Sequence, residues 1–351
     1  MKTIFFFFVS FILICCPFSF ADEGMWMPQQ LDKLALVLKK MGIDIPIDQF
    51  SDLMGHPMNA IVSMDYCSGA FVSEKGLIIT NHHCAFDSIQ FNSTPEHDYI
   101  KNGFFAQGLE EEVPAARGLQ MYVTIDFKDV TAEILKGTEA EMPAGERYEM
   151  IQSRIKEMVK EGEKEKGTRC KVAAYFEGIH YFLIKQKEIK DIRLVYAPPQ
   201  DIGSFGGDID NFMWPRHCGD FAFFRAYVGK DNSSSEYHKE NVPYQPKHWL
   251  KVNPKGIMPG EKVIVAGYPG RTYRYVTSYE IKSDKEWHYP FMVGTLSDYL
   301  EILGNLSRKN KETDIKVASL KESLSNYLKY CQGMMDGLGR KIGRASCRER
   351  V

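Results

Sequence analysis

Apolar and polar positions alternate in short runs over most of the chain and take up a helical period near its end. At 29–41, Leu31, Leu34, Leu38 and Met41 share one helical face, and Gly42 stops the helix. Residues 50–60 contain Gly55 and Pro57 and read as loop. Two apolar strands follow at 66–72 and 77–80, joined by the hairpin-loop residues Ser73, Glu74, Lys75 and Gly76. Residues 85–116 form a long polar excursion, and 119–127 alternates as a strand. A helix is predicted over 143–160, with Tyr148, Ile151, Ile155, Met158 and Val159 on its stripe; the charged run 156–166 reads as its solvated end. Strand-like runs return at 170–176, 180–184, 192–196, 221–228 and 262–267, the last ending in a turn at 268–272. Beyond residue 274 the period becomes helical at 295–306 and 315–331. In the second helix Leu320, Leu324, Tyr327, Leu328 and Cys331 form the apolar stripe. Asn326 falls off it and is expected to face a different environment.

The chain has 351 residues, enough for two domains and a large core. The net charge of −2 gives no electrostatic case for nucleic acid. An aromatic fraction of 13% suits a β-rich core. Lys2, the apolar run 4–14 and the small-x-small site Ser19-Phe20-Ala21 predict a secretory signal peptide over 1–21. The run is too short and wrongly flanked for a membrane span, and the surroundings of Cys15 and Cys16 do not read as a lipidation box. Secretion or export to a periplasm means an oxidising compartment. Six cysteines remain after cleavage: Cys67, Cys84, Cys170, Cys218, Cys331 and Cys347.

The candidate chemistry starts at the hairpin. The second strand delivers Thr80-Asn81-His82-His83-Cys84 at its end, and the first carries Cys67. Strands joined this way can set Cys67 beside Cys84, where a disulfide would clamp the histidine loop to the sheet. The layout resembles that of chymotrypsin-type barrels, where the general base precedes a cysteine in Thr-Ala-Ala-His-Cys. His83 is therefore the candidate base, and His82 reads as structural. Asp220, at the head of strand 221–228, is the candidate acid that orients the base. Asp208 and Asp210 are rivals, but neither leads into a strand. Their Gly-Gly-Asp-x-Asp lacks the full ligand spacing of a calcium loop. Adjacent histidines at a strand end point to opposite sides, which disfavours zinc on His82 and His83. No metal or other cofactor is expected.

Four motifs together resemble one family. They are the start Asp22-Glu23-Gly24-Met25-Trp26, the Thr-Asn-His-His-Cys box, Gly206-Gly207-Asp208-Ile209-Asp210-Asn211 through Trp214-Pro215-Arg216-His217, and Gly267-Tyr268-Pro269-Gly270-Arg271-Thr272. The family is that of the bacterial serine exopeptidases that include dipeptidyl-peptidases 7 and 11, and the resemblance covers residues 22–340. It implies a chymotrypsin-like double β-barrel, incomplete here, over 22–273 with a helical insert near 130–166, followed by the start of a helical cap domain at 274–342. It implies release of dipeptides from the free N-terminus of oligopeptides, without a metal, by a homodimer roughly twice this length. It makes His83 the base, Asp220 its acid, and Asn211 and Asn326 the pair that grips the substrate's α-amino group. Phe212 stands where tryptophan is usual, which keeps the aromatic wall and loses the indole donor. Cys218 stands where threonine is usual; it pairs with Cys170 or is a buried thiol.

No Gly-x-Ser-Gly occurs, and the resemblance puts the nucleophilic serine in a later segment. Residues 343–351 read as a non-native tail, so the chain as given is expected to be cut before its nucleophile and inactive. The alternative from a different class is a secreted non-catalytic peptide-binding protein of the same fold. An endopeptidase of the same clan is disfavoured by the asparagine pair.

Overall fold

The computed structural model of the protein describes residues 26–340 except 65, 140, 177, 208–210, 214 and 271–275. The signal peptide, the rival acids Asp208 and Asp210, part of the 268–272 turn, and the 343–351 tail lie outside the described residues. The chain packs as two units, up to Ser51 and from Asp52 onward. In the first, the helix Leu31–Lys40 buries Leu38 and ends at Gly42, whose φ of 75° suits glycine.

The second unit is built on one antiparallel sheet of eleven strands. They are β1 (Ile61–Met64), β2 (Cys67–Phe71), β3 (Leu77–Thr80), β4 (Phe104–Phe105), β5 (Val113–Pro114), β6 (Met121–Asp129), β7 (Thr168–Tyr175), β8 (His180–Ile189), β9 (Asp191–Ala197), β10 (Ala222–Val228) and β11 (Val242–Pro243). The order is β4-β9-β10-β3-β2-β1-β6-β8-β7, with β5 beside β9 and β11 beside β10. The predicted hairpin is β2–β3, with Ala70 opposite Ile79 and Phe71 opposite Ile78. Its turn needs Gly76, at φ 67°, where a Cβ would come within 2.7 Å of the Tyr244 carbonyl. Val62, Met64, Phe71, Ile78, Leu194 and Phe224 fill the core behind these strands.

Three expectations are corrected. The described strands form a single open sheet, and no pairing among them joins β4 to β7, so they close no barrel where an incomplete double barrel was expected. Residues 262–267 are not a strand. The segment is fastened at both ends: the Leu250 N–H donates to the Phe71 carbonyl at 2.8 Å, and the Tyr268 N–H to Ser68 Oγ at 2.7 Å. Between them Val265 is 96% exposed, and the backbone finds no ladder partner among the described residues. Finally, residues 82–91, read in part as loop, form the helix His82–Phe91. That helix exposes only the narrow stripe His83, Asp87, Gln90 and Phe91, with buried His82 and Ser88 among its polar residues, and ten residues give too short a period to stand out in the sequence.

Helices cover the sheet. Ala144–Gly162 packs Ile151 with Val130, Ile134 and Tyr181. Tyr289–Ser307 and the long Lys311–Gly339 follow. The long helix lies against His82–Phe91, with Ile315 in the sheet's core cluster and the Ser319 N–H donating to Gln90 Oε1 at 2.6 Å. Cys331 of the predicted stripe is fully buried, but Leu320 is 52% exposed. Cys170 and Cys218 are not bonded to each other. Cys170 is buried against Gly162, where a Cβ would collide with its sulfur, and Cys218 Sγ accepts from the Phe205 N–H at 3.2 Å. No helix among the described residues is long and apolar enough to cross a membrane.

Candidate active site

His83 and Asp220 meet through strand register. β3 pairs with β10 so that Thr80 lies opposite Ala222. Continuing that register past the strand ends brings Asp220 to the first turn of the His82–Phe91 helix. Asp220 Oδ1 accepts from the backbone N–H of His83 at 3.1 Å. Its Oδ2 lies 2.8 Å from His83 Nδ1. Asn81 Nδ2 donates to the Asp220 carbonyl at 3.1 Å and to Oδ2 at 3.2 Å. A helix's first turn exposes N–H groups and a partial positive charge. Asn81, at the N-cap, caps none of them with its own side chain. The Asp220 carboxylate fills that role and orients the imidazole at the same time.

The acid is shielded and the base accessible: the side chains are 15% and 54% exposed. Burial pushes the Asp220 carboxyl up, but the His83 hydrogen bond, the imidazole's charge and the His83 amide together outweigh it. The group therefore sits below its ordinary 3.8. An ionised carboxylate only accepts hydrogen bonds, so Nδ1 carries the proton and Nε2 is left as the basic nitrogen. A depressed folded-state value means that Asp220 contributes stability above its unfolded value, and that this contribution is lost as pH falls through the folded value. We expect the gap between the urea midpoints of wild type and Asp220→Asn to close as pH falls below 3.8. A gap that stays open there would contradict the ionised assignment.

His82 is fully buried and points elsewhere. Its ring meets Phe86 edge-on at 5.6 Å and lies against Gly203, where a Cβ would come within 2.3 Å. The disulfide Cys67–Cys84 is formed and ties β2 to the helical turn that carries His83. Donor atoms of Cys67, Cys84 and His83 lie within 4.8 Å of one another, but the two sulfurs are bonded to each other and are not thiolate ligands.

Asn211 and Asn326 are brought together across 115 residues, Nδ2 of the first donating to Oδ1 of the second at 2.6 Å. Asn211 Oδ1 accepts from Arg216 Nη1 at 2.7 Å and from the Phe212 N–H at 3.1 Å. Phe212 holds a left-handed φ of 61° and stays 62% exposed, its ring 6.2 Å from Tyr330. Arg216 Nη2 also lies 4.0 Å from Asp220 Oδ2, which links the amide pair to the histidine–carboxylate pair. Sequence reasoning gave Arg216 no role. The only signal was its place in the Trp-Pro-Arg-His box.

Other perturbed groups are structural. Tyr227 is pushed up by burial and by its hydrogen bond to Glu112 at 2.6 Å, and Arg225 pairs with the same carboxylate at 2.8 Å inside the sheet.

A shielded carboxylate holding an accessible imidazole is the arrangement of hydrolases that move a proton through histidine. A family model described as Peptidase S46 matches residues 21–350, and the chain belongs to the peptidase S46 family. It is 41% identical over 329 residues to the Asp/Glu-specific dipeptidyl-peptidase of Shewanella putrefaciens, covering 94% of this chain and 45% of that protein. It is 36% identical over 339 residues to dipeptidyl-peptidase 7 of Porphyromonas gingivalis, covering 94% of this chain and 47% of that protein. The crystal structure of Porphyromonas endodontalis DPP11 in complex with the dipeptide Arg-Glu superposes with a TM-score of 0.83 at 34% identity, over 92% of this chain and 47% of that one. The chain thus spans about half the length of these relatives.

Proposed function

We propose that the full-length protein is a serine dipeptidyl peptidase that removes dipeptides from the free N-terminus of oligopeptides. One observation carries the reading: the His83–Asp220 pair is joined through Arg216 to the Asn211–Asn326 amides in one continuous polar site. His83 Nε2 takes the proton of a serine hydroxyl, and Asp220 holds the imidazole and stabilises its cation. The two asparagines accept from the substrate's terminal ammonium, and Phe212 walls the same pocket. An ammonium keeps its hydrogen bonds there only when the peptide ends at that point, which limits the product to two residues.

The serine is supplied by a segment beyond those motifs, as in the family that the sequence resembles. The open sheet is then part of a chymotrypsin-like double barrel and the helices after 277 part of its cap. The protein is secreted or periplasmic after cleavage near Ala21, and the full-length form is a homodimer. Sequence identity to Asp/Glu-specific and type 7 relatives supports the activity without choosing between their side-chain preferences.

The test is hydrolysis of one oligopeptide with a free or an acetylated N-terminus, products read by mass spectrometry. The free peptide should yield successive dipeptides, and acetylation should lower kcat/KM by roughly 10²-fold, the size of losing hydrogen bonds to a charged group. Equal cleavage of both peptides would make the protein an endopeptidase. Binding of the free peptide without cleavage would make it a peptide-binding protein.

A further inference from the structure

We propose that Glu322, on the long helix Lys311–Gly339, is a positioning residue for the amine-binding pair, acting through a hydrogen bond to the buried Ser204. The proposal rests on the dipeptidyl-peptidase reading above.

The helix meets the sheet along a stripe different from its apolar one. Ile315 enters the core, Ser319 bonds Gln90 and Asp87, Glu322 accepts from Ser204 Oγ at 2.5 Å, Asn326 accepts from Asn211, and Tyr330 packs on Phe212. Steps of three and four residues keep these side chains on one face. Four of the five contacts involve polar or aromatic partners at the site or beside it.

The Ser204 contact differs in its surroundings. Ser204 is 3% exposed, and an O–H···O⁻ bond of this length is of the strong, charge-assisted kind. Its neighbour Gly203 lies against the His82 ring. The Phe205 N–H donates to Cys218 Sγ, and the Gly219 N–H donates to the Ile202 carbonyl at 2.8 Å. The turn that Glu322 grips is therefore wedged between the helix that carries His83 and the loop that carries Asp220. Asn326 lies one helical turn further on, about 6 Å along the axis. A helix fixed at residue 322 has little freedom to slide at residue 326. Glu322 thereby refers Asn326 to the same turn that sets His83 and Asp220, and keeps the distance from ammonium grip to proton relay constant. Glu322 acts through its bond to Ser204 Oγ and is a positioning residue, not a catalytic one.

The test uses the full-length protein with Ser204→Ala, Glu322→Ala, the double variant and Glu322→Gln. Either alanine variant should raise KM for a free-N-terminal peptide on the order of tenfold to hundredfold, with kcat nearly unchanged. The double variant should be no worse than either single one, because both remove the same bond. Glu322→Gln should recover most of the loss, since its carbonyl still accepts from the Ser204 hydroxyl. Additive effects in the double variant would overturn the bond as the cause. Loss of kcat at constant KM would overturn the positioning role. A wild-type protein that releases no dipeptide would instead sink the functional reading, and the positioning role with it. An active wild type with unaffected variants sinks only the latter.

Discussion

Asp220→Asn should lower kcat of the full-length protein by about four orders of magnitude, the effect of turning the orienting acid of such a triad into an amide. The variant is nearly isosteric, so the fold and the bond from the His83 amide can persist. What changes is the partner of the imidazole. Asp220 Oδ2 sits 2.8 Å from Nδ1 and only accepts; an Asn amide nitrogen placed there donates. Nδ1 must then give up its proton, Nε2 becomes the N–H, and the lone pair that would take the serine proton is gone. KM should move far less if, as proposed, the ammonium is held at Asn211 and Asn326. The measurement is steady-state kinetics on a free-N-terminal peptide, with circular dichroism to check the fold. Activity within tenfold of wild type would remove Asp220 from the relay and with it the main support for His83 as the base.

Breaking the disulfide should give the largest stability effect. Cys67 and Cys84 are 17 residues apart, and closing a loop of that size stabilises by about 3 kcal/mol through the unfolded chain. Both residues are mostly buried, so Cys67→Ala/Cys84→Ala removes the bond without leaving a polar group inside. The urea midpoint of the double variant should fall accordingly, and reductant should lower the wild type to the same level while leaving the variant unchanged. Activity should fall more than the folded fraction does, because Cys84 adjoins His83 and the bond fixes that turn to β2. Equal midpoints for variant and wild type would mean that the hairpin is held by strand pairing and core packing instead.

The legible features share a physical cause, which is that they are local. The β2–β3 hairpin is short, its turn chemistry is explicit, and it carries both cysteines and His83, so a few bonded neighbours set the geometry. Asp220 was legible because an acid heading an apolar strand marks a fixed end. Asn326 was singled out by the family resemblance; the helical period placed it only off the apolar stripe. The helix at His82 was hidden because its exposed stripe, His83, Asp87 and Gln90, is narrow and the polar residues His82 and Ser88 are buried among its apolar ones, which blurs the period. The run at 262–267 has strand composition, yet composition does not provide a neighbouring backbone to pair with.

By itself the sequence determined the hairpin, its cysteine pair, the candidate base at its end and the candidate acid leading β10, because hydrophobic alternation and turn residues act over a few positions. Only the tertiary structure decided that the strands make one open sheet, that Arg216 joins the two halves of the site, and that the long helix carries Asn326 to Asn211. Those contacts span up to 148 residues, between Leu77 and Arg225 in the sheet, and their distances follow from strand register and helix docking, which no local pattern encodes.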